Sequence, residues 1–84
     1  MEWYSLTEFS RKVLNDLIAF AGMEKIKEQR KPQPDQRRIK ELTSLYKEAN
    51  SVSQDGTRFE SIESMNNIIS HYQEVLEKAK TATE

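Results

Sequence analysis

Apolar residues in the last third of the chain, Ile62, Met65, Ile69, Tyr72, Leu76 and Ala79, recur at alternating steps of three and four. That spacing turns one stripe of an α-helix towards its neighbours. Ile68 and Val75 widen the stripe to about 140° at 100° per residue. A two-stranded coiled coil needs a narrower seam, so the segment reads as one wall of an intramolecular bundle.

The first third repeats the pattern with Leu6, Phe9, Val13, Leu17 and Phe20, broadened by Leu14, Ile18 and Ala21. So broad a face suits contact with two neighbouring helices. Ser5-Leu-Thr-Glu8 has the form of a capping box, in which serine and glutamate satisfy each other's free amides, and Tyr4 with Phe9 has the spacing of a hydrophobic staple. Gly22 interrupts the pattern, and a kink or break is expected there. Past Gly22, Met23 and Ile26 fall out of phase with the apolar stripe.

Lys31-Pro-Gln-Pro-Asp35 is a connector, because both prolines oppose helical hydrogen bonding. A second helix begins at Pro34 or Asp35 and carries Ile39, Leu42, Leu45, Tyr46, Ala49 and Val52 on one stripe. It fades towards Asp55-Gly56, a favourable reversal. Thr57-Arg-Phe-Glu60 is a second capping-box candidate. The expected helices cover about 6–30, 35–50 and 58–80, with residues 81–84 fraying, in a single domain over 1–84. The fold expected is all-α: an antiparallel three-helix bundle, with a helical hairpin completed by dimerisation as the alternative.

Composition changes this picture in one respect. Only 36% of residues are hydrophobic against 32% charged, so the core must be thin. A core this small supplies about 3–5 kcal/mol of net stability, which makes a partner or a second copy a natural complement. The chain has no cysteine, which removes disulfides and thiolate metal sites. Its start lacks the basic and apolar regions of a signal peptide, and its longest apolar run, 17–21, is far too short to span a membrane. A cytoplasmic location away from membranes is the expectation.

Candidate chemistry is sparse. His71 is the single histidine and lies just off the third apolar stripe. The Asp55-Gly56 loop fails as a calcium-binding EF-hand. With Gly56 at its sixth position, Ser51 and Ile62 fall where aspartate and glutamate are required. Glu60 with Glu63, and Glu74 with Glu77, are carboxylate pairs one turn apart on solvated helix faces, without the desolvation that acid–base work needs. Neither glycine has a phosphate-binding context. The expectation is a non-enzyme with no cofactor and no metal.

Charge is polarised along the chain. Lys25, Lys27, Arg30, Lys31, Arg37, Arg38 and Lys40 crowd the connector, offset by Glu24, Glu28 and Asp35, which leaves about +4 by counting formal charges. Residues 41–84 carry an acidic excess. The candidate partner-binding surface is therefore Met23, Ile26, Lys27, Arg30, Lys31, Arg37, Arg38 and Lys40. The function expected is a protein–protein interaction module, an adaptor, chaperone-like partner or inhibitor, whose partner has an acidic surface or is a second copy. A nucleic-acid-binding, transcription-regulating domain is one alternative, but no aromatic is interleaved with these bases to stack on a nucleobase. A homo-oligomeric structural subunit is the other.

Overall fold

The computed structural model describes residues 2–83 and is a three-helix bundle. Helix α1 (Trp3–Gln29) is followed by α2 (Gln36–Gln54), a 3-10 turn (Gly56–Phe59) and α3 (Ile62–Thr83). Helix α2 folds back along α1, and Thr7 near the start of α1 donates to Met65 Sδ near the start of α3 at 3.2 Å. Helix α3 therefore runs in the direction of α1. Both α2 and α3 pack on α1 and touch each other far less. A direct link between them is Tyr72 Oη, which donates to Glu48 Oε1 at 3.1 Å.

The core follows the apolar stripes. Leu6, Val13, Leu14 and Leu17 of α1 meet Ala49 and Val52 of α2, Phe59 of the turn, and Met65, Ile68, Tyr72 and Leu76 of α3. Each fully buried Leu or Met contributes about 1.5–3 kcal/mol from removal of apolar surface from water. Ser10 is also enclosed, and its hydroxyl is satisfied by donating to the Thr7 carbonyl at 2.9 Å. The molecule is long for its size. Its radius of gyration is 14.0 Å and its extents are 47 × 22 × 15 Å, against about 12 Å for a compact chain of this length.

Several local expectations are corrected. Helix α1 starts at Trp3, earlier than the Ser5–Glu8 box requires, with Glu2 as an N-cap that makes no side-chain bond. The Leu6 amide already donates to the Glu2 carbonyl at 2.9 Å, so Ser5 lies inside the first turn. Tyr4 is exposed and forms no staple with Phe9. Helix α1 also passes through Gly22 without a break, and no glycine has positive φ. Ala21 is buried beside it, and packing against α2 holds both sides of the glycine in one helix.

Helix α2 runs to Gln54, past residue 50, because Val52 is buried in the core. Asp35 caps it, accepting from the amides of Arg37 and Arg38 at 3.0 and 3.3 Å. Thr57 and Glu60 form no capping box. Asp55 caps the 3-10 turn instead, accepting from the Thr57 amide and hydroxyl at 3.1 and 2.6 Å. Ser61 then accepts from the Ser64 amide at 3.0 Å and starts α3. Helix α3 continues to Thr83, three residues past the expected end at 80, and Glu84 lies outside the described residues. Among the described residues no helix is long and apolar enough to cross a membrane.

Candidate functional site at the basic end

Two apolar side chains of the candidate surface stand out in solvent. Met23 is 60% and Ile26 48% exposed, on the side of α1 turned away from the core. Tyr46 of α2 joins them. It was expected in the core but is 41% exposed, with its ring lying along Gly22. A Cβ at Gly22 would sit 3.9 Å from Tyr46 Cε2. Glycine thus exposes backbone where the α2 ring approaches, next to Met23 and one turn before Ile26. Burial of these three side chains by a partner would release apolar surface worth several kcal/mol, at about 25 cal/mol per Å².

The basic side chains divide between two faces. At 100° per residue Lys27 and Arg30 fall on the α1 face that carries Met23 and Ile26. Lys27 Nζ lies 3.2 Å from Glu24 Oε1, and Arg30 is exposed and has no ion pair among the described residues. Arg37 and Lys40 lie on the outward face of α2, along a shallow groove shared with Leu45 and Glu48. Arg37 Nε is 3.5 Å from Glu41 Oε1. Arg38 is half-buried in the first turn of α2. The structure therefore assembles Met23, Ile26, Lys27 and Arg30 into one surface, and sets Arg37 and Lys40 on another.

Lys31 has a different task. Its Nζ lies 2.7 Å from Oε2 of Glu28, a carboxylate buried in the hairpin between α1 and α2. A buried carboxylate is costly to leave uncompensated, so Lys31 serves the fold at this end.

Elsewhere the chemistry is dispersed. His71 is exposed and packs edge-on against Tyr72, with ring centroids 4.7 Å apart. It shares a shallow depression with Ser64 and Arg58. At the other end Arg11 lies over the Phe59 ring at 4.4 Å and closes the core there. Tyr4 sits beside Glu8, whose carboxylate accepts from the phenol and raises its pKa. Sequence reasoning missed Tyr46 and Tyr4 as surface groups. The available signal was the place of Tyr46 at the margin of its stripe and of Tyr4 off the α1 stripe altogether. Protein-family models, curated proteins and solved structures were compared with the chain, and none matches.

Proposed function

We propose that the protein is a protein-interaction module that engages its partner through the basic end of α1. The observation that carries this reading is the cluster of Met23, Ile26 and Tyr46, exposed together and flanked by Lys27 and Arg30. Exposed apolar groups with a charged margin are the usual anatomy of a contact surface, and the basic margin selects an acidic partner. An adaptor, chaperone-like or inhibitory role follows from a surface of this kind, in a cytoplasmic setting.

Protein is favoured over nucleic acid by the pairing of the bases. Lys27, Lys31 and Arg37 already face carboxylates of their own chain, which weakens a phosphate-binding field. The test is co-purification from the native host with wild type and with the Met23→Glu, Ile26→Glu variant. A partner held by wild type and lost by the variant supports the reading. A partner retained equally, or salt-sensitive DNA binding abolished by Arg37→Ala with Arg38→Ala, refutes it.

A further inference from the structure

The apolar residues of α1 encircle the helix, unlike those of α2 and α3, and its outer face therefore holds a second pattern. Tyr4, Asn15, Ala19, Met23 and Ile26 fall within an arc of about 100° opposite the core. All five are exposed, Tyr4 at 70%. Helix α2 reaches only the edge of this arc, where the Tyr46 ring approaches Gly22, and leaves these five residues in solvent. Apolar side chains stand at its two ends, and its middle is polar.

The arc is also divided by charge. Glu2 and Glu8 flank Tyr4, while Lys27 and Arg30 flank Ile26. Tyr4 and Ile26 are about 33 Å apart along the helix at 1.5 Å per residue. That is several times the screening length of about 8 Å at physiological salt, so the acidic end of the helix does not neutralise the basic end. Lys27 is paired locally with Glu24, which leaves Arg30 as the exposed charge beside Ile26. Asn15 lies midway, eleven residues from each.

We propose that this face binds a second copy of the chain, α1 against α1 in antiparallel fashion, about a two-fold axis at Asn15. The proposal rests on the basic-end reading and names the occupant of its α1 part. In this register Tyr4 of each copy meets Ile26 of the other. Glu2 of each copy falls opposite the turn that carries Lys27 and Arg30. Lys12 and Asp16, now paired within one chain at 3.2 Å, straddle the axis and face their opposites. A parallel arrangement would instead set Glu2 on Glu2 and Lys27 on Lys27. Asparagine at the axis matches the use of a single polar residue to fix register and orientation in helical interfaces. The result is a closed dimer with one self-complementary patch.

The absence of cysteine makes the test clean, because any introduced thiol is unique. Sedimentation of the full chain over a wide concentration series is expected to show monomer converting to dimer. Tyr4→Lys and Ile26→Glu, both at exposed positions, are each expected to weaken the dimer by about tenfold or more, with circular dichroism confirming retained helix. Arg37→Ala with Lys40→Ala, off this face, leaves it unchanged. Under mild oxidation Asn15→Cys is expected to link to itself, and a mixture of Tyr4→Cys and Ile26→Cys to form the mixed product. Wild type that stays monomeric throughout overturns the proposal and leaves the basic-end reading to its own co-purification test. A dimer in which Ile26→Cys links to itself overturns the antiparallel register, and a dimer unaffected by both face variants overturns the surface.

Discussion

Replacing Gly22 by alanine tests whether α1 is one continuous helix. Glycine inside a helix costs about 0.5–1 kcal/mol relative to alanine, because the unfolded chain gives up more freedom. That gain is realised only if the new methyl fits the folded state. Here it does: the nearest side-chain atoms to a Cβ at Gly22 are Tyr46 Cε2 and Cδ2, at 3.9 and 4.0 Å, which is ordinary van der Waals contact. The backbone needs no left-handed conformation at this position. Gly22→Ala should therefore stabilise the protein by about 0.5–1 kcal/mol, raising Tm by about 2–8 °C for a domain of this size. Thermal melts followed by circular dichroism at 222 nm, in dilute protein, measure it directly. Gly56→Ala serves as a control, since nothing lies within 4 Å of a Cβ there. A Tm lowered at Gly22 but not at Gly56 would refute the reasoning. It would mean that α1 bends at Gly22 or that Tyr46 packs more tightly on the glycine.

Other perturbations probe the core, the link between α2 and α3, and the caps. Leu14 is fully buried, so Leu14→Ala should cost about 2–5 kcal/mol. That is comparable with the whole stability of so small a domain, and urea titration should find the variant largely unfolded. Tyr72→Phe removes the bond to Glu48 and should lower stability by about 1 kcal/mol; an unchanged urea midpoint would show that α2 and α3 do not depend on it. Acid should destabilise the fold through Asp55, whose carboxyl is held below its ordinary range by the bonds from the Thr57 hydroxyl and amide. Glu74 is lowered by its bond to Lys78. A depressed folded pKa means that the unfolded chain binds the proton more readily. The contribution is thus present above the ordinary carboxylate range and lost as pH falls through the folded values. Melts between pH 7 and pH 3 should show the loss, and Asp55→Asn should flatten it.

Much of the fold is legible in the residue pattern, for physical reasons that also mark where legibility ends. Leu17, Met65 and Tyr72 sit near the centres of their stripes, and a central position stays buried whatever the exact placement of neighbouring helices. Tyr46 and Ile62 sit where the outcome depends on where a neighbour ends, and both emerge exposed. Gly22 looks like a terminator because its local preference is unfavourable, yet its cost is about 1 kcal/mol, less than the contacts on either side of it supply. Caps are misread for a related reason: serine or threonine three residues before glutamate is common, and the true start depends on which carbonyl accepts first. Asp35 is the exception, placed between Pro34 and a strongly helical run, where little else can cap.

The candidate surface was legible in part. Met23 and Ile26 were out of phase with the core stripe, and out-of-phase apolar residues end in solvent on any helix that continues. What one helix's pattern could not give was the split of the basic residues between α1 and α2. That split depends on how α2 is rotated about its axis, which Leu42, Ala49 and Val52 set through their burial.

The central claim is that the outer face of α1 near Met23 is covered when the protein works. Methionine oxidation reads this with an internal reference, because Met23 is 60% exposed and Met65 fully buried. Exposed thioethers oxidise faster than enclosed ones. In dilute purified protein, Met23 should be oxidised well before Met65. In intact cells of the native host, given the same peroxide pulse and read by peptide mass spectrometry, the account predicts that Met23 is protected towards the rate of Met65. Oxidation of Met23 in cells as rapid as in dilute solution, with Met65 unchanged, would contradict it.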